Sequence, residues 1–339
     1  MVWLKFAICT IIIFFSGKRV AKYGDVIAEK TGLGGLWIGV VLVAVTTSLP
    51  EIFTGIGSTV FVNAPDLTIG NLFGANSYNL LNLWLLDFLH KGKPLFSIVS
   101  SGQLLTAILS LVPVLIASLG IFLTSKLPQY TIANISIYSI LILLSFLTST
   151  RIIFKFEKSR REIADELDKE EKILLKYEHI SFLKACILFT IFAAIIAASG
   201  IWLAYIGEEI ATVLRIGRTF AGSLFLGLAT TLPEAAVSIA ALLIGAKELA
   251  VANLLGSNLF NTAIIFMNDL LYRKAPIFTA ISQQHIFTGL IVVIMTVLVC
   301  LGLILKPQKK IIFRLSSYSL GLIVIFILGT YVNFVLGKR

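Results

Sequence analysis

The sequence predicts an all-α membrane protein whose ten transmembrane helices form two inverted five-helix repeats. Three observations lead to this prediction: an apolar composition, ten apolar segments long enough to span a bilayer, and a polar motif that occurs once in each half. Of the 339 residues, 58% are hydrophobic and 14% are charged, whereas soluble domains average about 45–50% and about 25%. The composition therefore indicates a polytopic membrane protein.

The other compositional features exclude several classes of protein. The net charge of +10 does not indicate nucleic-acid binding, because the basic residues lie between apolar segments and not on one soluble face. Cys9, Cys186 and Cys300 lie within apolar segments without CxxC spacing, so neither a disulfide framework nor a zinc site is indicated. An intramembrane enzyme is not favoured, because the sequence has no HExxH or GxSxG motif. We expect no resident cofactor.

A helix that crosses a bilayer needs about 20 mostly apolar residues. Ten segments meet this requirement: 2–28, 35–61, 67–89, 103–123, 130–154, 182–211, 218–244, 248–271, 284–305 and 311–335. The first begins like a signal peptide, but Ser16 and Gly17 lead directly into Lys18 and Arg19 without a typical cleavage site. We therefore predict a transmembrane helix there.

The distribution of Lys and Arg predicts the orientation in the membrane. The connection from Arg151 to Lys176 carries eight of the 28 basic residues, and the loop from Lys306 to Arg314 carries four more. With ten spans both lie on the same side, which the positive-inside rule assigns to the cytoplasm. We predict a multi-pass protein of the cell membrane with both termini outside.

A charged linker at 151–178 divides the chain into a first repeat, 1–150, and a second repeat, 179–339. The linker mixes acidic and basic side chains with apolar ones at roughly helical spacing, which predicts a solvated helix. It has no DxDxDG loop of the kind that binds calcium in sensor proteins. We therefore interpret it as a cytoplasmic connection between the two repeats.

The most informative feature is a polar motif in the second and seventh segments. Residues 46–51 read TTSLPE, and residues 229–234, 183 positions later, read ATTLPE. A carboxylate within a transmembrane segment is costly and marks a candidate functional site. Because proline cannot donate to the carbonyl four residues earlier, we expect each helix to be kinked or broken and its freed carbonyl to face protein or water.

Each motif places oxygen atoms on one helical face. Thr47 lies four residues before Glu51, and Thr230 lies four residues before Glu234, so each hydroxyl shares a face with its carboxylate. Carboxylate, hydroxyl and carbonyl oxygens suit calcium, sodium or magnesium and do not favour zinc or copper. The residue types and their spacing predict a site for hard cations within the apolar segments.

The third and eighth segments share a second motif at an offset of 182. Residues 69–76 read IGNLFGAN, and residues 251–258 read VANLLGSN. Intervals of four place two polar stripes on helical faces: Asn71, Ala75 and Asn79, and Asn253, Ser257 and Asn261. Amides of this kind either join helices or bind ions, and their duplication beside the glutamates favours ligands or the partners of ligands.

The pairing extends to Asp87 and Asp269 at the far ends of the third and eighth segments. Each half holds five predicted spans, an odd number. The second copy must then enter the membrane from the opposite side, which predicts an inverted repeat.

These paired motifs resemble the alpha-1 and alpha-2 repeats of the calcium/cation antiporter superfamily, and most closely its sodium/calcium exchanger family. The similarity covers about residues 35–90 and 218–271. The resemblance implies a secondary active antiporter that binds ions at the midplane and exchanges Ca²⁺ for Na⁺ across the membrane by alternating access. It implies that Glu51 and Glu234 are the carboxylates shared by calcium and sodium. It implies further oxygen ligands from Thr47, Ser48, Thr230, Thr231, Ser257, Asn79, Asn261 and the carbonyls of Ala44 and Gly227.

Two positions depart from the exchanger pattern. Ala75 stands where exchangers commonly have a serine, and Asn261 stands where many have an aspartate.

Two carboxylates balance one Ca²⁺, two Na⁺ or two H⁺ equally well, so the coupling ion stays open. The alternative is a Ca²⁺/H⁺ antiporter of the same superfamily. A membrane scaffold without transport is a more distant alternative, since it would have no need for duplicated midplane acids. The sequence leaves the oligomeric state open.

Overall fold

The structure, a computed structural model, describes residues 1–31, 45–128, 130–167, 179–311 and 314–337. Most of these residues are helical. The principal helices are α1 (Val2–Lys30), α2 (Leu49–Ile56), α3 (Pro65–Leu89), α4 (Ser101–Thr124), α5 (Ile137–Leu167), α6 (Phe182–Leu214), α7 (Gly227–Leu243), α8 (Lys247–Leu271), α9 (His285–Leu305) and α10 (Ser317–Gly337).

Short elements connect these helices. A π-helical turn, Gly57–Phe61, follows α2, and a second one, Gly222–Leu226, joins the short helix Arg218–Ala221 to α7. One turn of helix, Leu95–Ile98, precedes α4, and a 3₁₀ turn, Ile277–Thr279, precedes α9. Strands β1 (Thr131–Ile132) and β2 (Ile135–Ser136) form an antiparallel hairpin before α5, with Thr131 opposite Ser136.

Within the described ranges, seven helices are long and apolar enough to cross a membrane. They are α4, α5 as far as Ser159, α6, the run Arg218–Leu243, α8, α9 and α10. The predicted spans 2–28 and 67–89 coincide with α1 and α3, which are helices but are not among the seven. The predicted span 35–61 is described only from residue 45.

Two helices begin later than the hydrophobic pattern predicted. In the predicted span 130–154, the hairpin occupies residues 131–136 and α5 begins at Ile137. In the predicted span 311–335, α10 begins at Ser317. The apolar loop residues before each helix produced the error, because hydropathy does not locate a helix start. Helix α5 continues to Leu167, into the predicted 151–178 linker, whereas residues 168–178 lie outside the described part of the chain.

Helices α3 and α8 lie at the centre of the molecule, and their apolar side chains form one core with α4 and α9. Where they cross, Asn76 Nδ2 donates to the Asn258 carbonyl at 3.3 Å, and Asn258 Nδ2 donates to the Asn76 carbonyl at 3.2 Å. The two residues are 182 positions apart, the offset of the sequence repeat. The two central helices therefore contact each other through equivalent residues.

An acidic residue near the C-terminal end of each central helix caps a helix of the other half. Asp87 of α3 accepts a hydrogen bond from Ser319 Oγ at 2.6 Å, at the start of α10. Asp269 of α8 accepts one from Ser139 Oγ at 2.6 Å, at the start of α5. Each carboxylate also accepts the backbone N–H of the serine three residues earlier, at 2.9 and 2.8 Å. These bonds satisfy backbone N–H groups at the position just before each helix.

The opposite ends of α3 and α8 show the same exchange. Asp66 in the first turn of α3 accepts the Ser282 N–H at 2.7 Å, just before α9. Glu248 in the first turn of α8 accepts the Ser100 N–H at 2.6 Å, just before α4. Each central helix thus holds the starts of two outer helices that belong to the other half, and the two halves interlock.

Candidate functional site

The two proline motifs have different local structures. Residues 45–47 are helical, Ser48 lies in a turn, and α2 begins at Leu49 with Pro50 in its first turn. Proline is tolerated there, because first-turn N–H groups have no partner within the helix. In the second motif α7 continues through Pro233 without a break. The predicted interruption is therefore present in the first motif, whereas the second helix is not broken.

Glycines bring the run Arg218–Leu243 into backbone contact with α3. A methyl group added at Gly74 would overlap the Ser223 carbonyl oxygen, and one added at Gly227 would lie 2.8 Å from the carbonyl carbon of Gly74. Only glycine permits such an approach. The contact places the motif of α7 beside the asparagine stripe of α3.

Replacing Gly74 by Ala is expected to destabilise the protein by about 2 kcal/mol or more, because the added methyl group forces two backbones apart. The change should lower the temperature of thermal unfolding in detergent, followed by intrinsic tryptophan fluorescence. Gly24→Ala is the matched control, since its methyl group would meet the Thr46 side chain at 3.2 Å and not a backbone. Equal unfolding temperatures for the two variants would contradict the prediction.

Glu51 and Glu234 are both 0% exposed and lie close enough to interact electrostatically. Ser48 Oγ, from the first motif, donates to Glu234 Oε1 at 3.2 Å. Thr47 of the same motif also faces Glu234, and Thr230 of the second motif faces Glu51. Each carboxylate is therefore approached by hydroxyl groups from the other motif.

The negative charge of these carboxylates is not balanced by the described residues. Both oxygens of Glu51 and Oε2 of Glu234 are buried and have no hydrogen-bond partner in the described part of the chain. None of the ion pairs between described residues includes either group. Because a buried, unpaired carboxylate costs several kcal/mol, this arrangement is suited to a bound cation or to protons.

The polar stripes of α3 and α8 contact the two motifs. Asn71 Oδ1 accepts a hydrogen bond from Thr230 Oγ1 at 3.1 Å, and Asn253 Nδ2 donates to the Glu234 carbonyl at 3.2 Å. Other polar atoms of the stripes are buried without a hydrogen-bond partner among the described residues: Asn71 Nδ2, Asn253 Oδ1, Ser257 Oγ and both amide atoms of Asn79 and of Asn261. Such a concentration of unsatisfied groups is unusual in a folded protein and indicates a site for a ligand or water.

Three other predicted ligands are either hydrogen bonded to each other or outside the described residues. Thr231 Oγ1 donates to the Gly227 carbonyl at 2.7 Å within its own helix, so this hydroxyl and this carbonyl already satisfy each other in part. Ala44 lies outside the described residues.

Two further hydroxyl groups near the first motif were not predicted from the sequence. Thr54 and Ser58 are both 0% exposed, and their hydroxyl oxygens have no hydrogen-bond partner in the described ranges. They follow Glu51 by three and seven residues, a spacing that places all three on one helical face. That spacing was the signal that would have identified them.

Comparison with known proteins gives one family and one fold. A family model described as sodium/calcium exchanger protein matches residues 1–155 and 184–337. The inner membrane protein YrbG of Escherichia coli (strain K12) is 24% identical over 305 residues, which are 86% of this chain and 86% of that protein.

Two solved structures cover nearly the whole chain. The H⁺/Ca²⁺ exchanger CAX superposes with a TM-score of 0.69 at 12% identity, over 99% of this chain and 85% of that one. The sodium-calcium exchanger NCX_Mj superposes with a TM-score of 0.58 at 20% identity, over 98% and 99%. At these identities the superpositions show a shared fold.

Proposed function

This chain belongs to the sodium/calcium exchanger family, and from that premise we propose that it exchanges Ca²⁺ for Na⁺ across the membrane by alternating access. The observation that carries the proposal is the pair of buried carboxylates, Glu51 and Glu234, which lack any partner of opposite charge in the described chain. Their two negative charges balance one Ca²⁺ or two Na⁺.

The proposed ligands are all oxygen atoms. Glu51 and Glu234 bind both ions, and hydroxyl or carbonyl oxygens complete the shells, from Thr47, Ser48, Thr230, Thr231, Ser257, Asn79, Asn261, Ala44 and Gly227. A set of this kind suits calcium, which accepts six to eight oxygen ligands in flexible geometry. The hydroxyl groups of each motif that face the carboxylate of the other support a site shared between the two repeats.

Charge balance explains why exchange is obligatory in this proposal. An empty site holds two buried negative charges near the middle of the membrane, and such charges are expensive to move through hydrocarbon. A divalent cation or two monovalent cations neutralise the site. The protein then reorients loaded and resists reorientation when empty, which couples the inward flux of one ion to the outward flux of the other.

We further propose ten spans in two inverted repeats, 1–150 and 179–339, joined by a cytoplasmic 151–178 linker, with both termini outside. Three additional spans would come from α1, from the segment that contains α2, and from α3. The reciprocal Asn76 and Asn258 hydrogen bonds and the exchanged helix caps support a twofold relation between the halves.

A Ca²⁺/H⁺ antiporter is the second candidate. Ala75 and Asn261 remove a hydroxyl and a carboxylate from positions at which exchangers commonly have them, which weakens the case for sodium. In this alternative Glu51 and Glu234 carry the exchanged protons themselves.

The deciding experiment compares two driving gradients in proteoliposomes. Purified protein is reconstituted, and calcium uptake is measured first with sodium inside and none outside, then with a pH gradient and no sodium. We expect the sodium gradient to drive calcium uptake. In the absence of a pH gradient, replacing sodium by potassium should abolish this uptake. Uptake driven by the pH gradient alone would identify the proton antiporter. No uptake under either gradient would refute both candidates.

A further inference from the structure

The N-termini of α4 and α9 are capped in equivalent ways, except at one position. Beside α4, Gln103 Nε2 donates to Glu248 Oε2 at 3.0 Å. Beside α9, His285 Nε2 lies 3.0 Å from Asp66 Oδ1. Both pairs are related by the repeat offset of 182 positions. One half therefore has a histidine, whose side chain can gain a proton, at the position where the other half has a glutamine, whose side chain cannot.

His285 also contacts the helical run that carries the second motif. Its Nε2 lies 3.2 Å from Thr219 Oγ1, and both residues are buried. Thr219 belongs to the short helix Arg218–Ala221, which continues through a π turn into α7 and its Glu234. The imidazole thus joins α3 and α9 to the start of that run.

The surroundings of the imidazole determine what an added proton does. Nε2 faces a carboxylate, so in the neutral ring it carries the hydrogen and donates it. Nδ1 is buried with no hydrogen-bond partner among the described residues, and it carries a hydrogen together with Nε2 only in the imidazolium form. A charged donor makes a hydrogen bond roughly twice as strong as a neutral one. Protonation therefore strengthens the contacts of His285 with Asp66 and Thr219.

The other elements around the imidazole contribute little free charge. Arg218 adjoins the contact, but Glu208 of α6 balances it, with Arg218 Nε to Glu208 Oε2 at 2.7 Å. Helices α4 and α10 reach this corner through the Ile121 carbonyl and Asn333, which are uncharged and are hydrogen bonded to the glutamines before α9. Asp66 of α3 is the acid that faces the ring.

We propose that His285 is a positioning residue that responds to protons. When the imidazole is protonated, its stronger hydrogen bonds hold Thr219 against α3. The start of the run Arg218–Leu243, which carries Glu234, then moves less easily, and ion exchange is slower. The effect on exchange rests on the proposed antiport, whereas the tightening of the contact does not.

The transport test compares wild type with His285→Gln, which copies the glutamine of the other half. Calcium flux is measured with equal pH on both sides, at about pH 8 and about pH 6, the range over which histidine usually titrates. The ratio of the variant's rate to the wild-type rate cancels the titration of Glu51 and Glu234. We expect this ratio to rise roughly three- to tenfold from the higher to the lower pH. A ratio that does not change with pH would overturn the proposal.

Thr219→Val is the second variant, because it removes the proposed contact while leaving His285 and Asp66 in place. It should raise the rate ratio at low pH in the same way. If only His285→Gln changed the pH profile, the route through Thr219 would be wrong.

A measurement independent of transport is backbone hydrogen exchange of residues 218–226, corrected for the intrinsic effect of pH. We expect roughly three- to tenfold greater protection at about pH 6 than at about pH 8 in wild type and no such change in His285→Gln. Equal protection would refute the tightening. If wild type showed no transport under any gradient, the proposed antiport would fail, and this measurement would still decide the role of His285.

Discussion

Replacing Glu51 or Glu234 by Gln is expected to reduce calcium transport by roughly 100-fold or more, because each change removes one of two charges that hold the cation. At about 4 Å and an effective dielectric constant of about 20, each elementary charge pair contributes about 4 kcal/mol. The glutamine keeps the size of the side chain, and the buried site loses an unbalanced charge. The variants should therefore remain folded. Calcium uptake in proteoliposomes measures the loss.

Glu209→Gln is the control for these two variants. Glu209 forms an exposed ion pair with Lys5 at 2.8 Å, and pairs of this kind contribute about 0–1 kcal/mol. We expect wild-type transport from it. A wild-type rate in either motif variant, at equal amounts of monodisperse protein, would refute the role of that carboxylate.

Replacing Asp269 by Asn is expected to destabilise the folded protein by about 3–5 kcal/mol, the largest stability effect that we predict. Its carboxylate is 2% exposed and accepts hydrogen bonds from Ile277 N at 2.6 Å, Ser136 N at 2.8 Å and Ser139 Oγ at 2.6 Å. An asparagine turns an N–H₂ group toward these donors and leaves at least one of them unsatisfied. Thermal unfolding in detergent should show a midpoint lower by roughly 5 °C or more.

Asp87→Asn provides an internal repeat of this experiment, because Asp87 makes the equivalent bonds to Leu95, Ser316 and Ser319. We expect a loss of similar size in both variants. Variant protein that remains folded should still transport calcium, because both aspartates cap the starts of helices and are not part of the proposed ion site. An unfolding midpoint equal to that of wild type in both variants would show that the caps contribute little.

Many of the helices could be predicted because a transmembrane segment is recognised by its length and its apolar side chains. Apolar runs of sufficient length located α4, α6, α8 and α9 to within a few residues. In hydrocarbon a single spanning segment must satisfy its own backbone hydrogen bonds, and an α-helix does so. The starts of α5 and α10 were placed too early. Those starts depend on caps from Asp269 and Asp87, which lie more than 100 residues away along the chain.

The sequence located the two motifs of the candidate site, but it did not predict the contacts between them. Helical spacing paired Thr47 with Glu51 and Thr230 with Glu234 within each motif. In the folded chain the hydroxyls of one motif approach the carboxylate of the other. A spacing rule describes one helix, whereas these contacts arise from the packing of α7 against α3 and α2.

By itself, the sequence determined the membrane class, the repeated motif and the two acids that it contains, because each is a local pattern of polar and apolar residues along the chain. The tertiary structure alone decided that each central helix caps helices of the other half and that His285 meets Asp66 and Thr219. Those contacts join residues far apart in the chain, and their geometry is fixed by close packing at glycines such as Gly74.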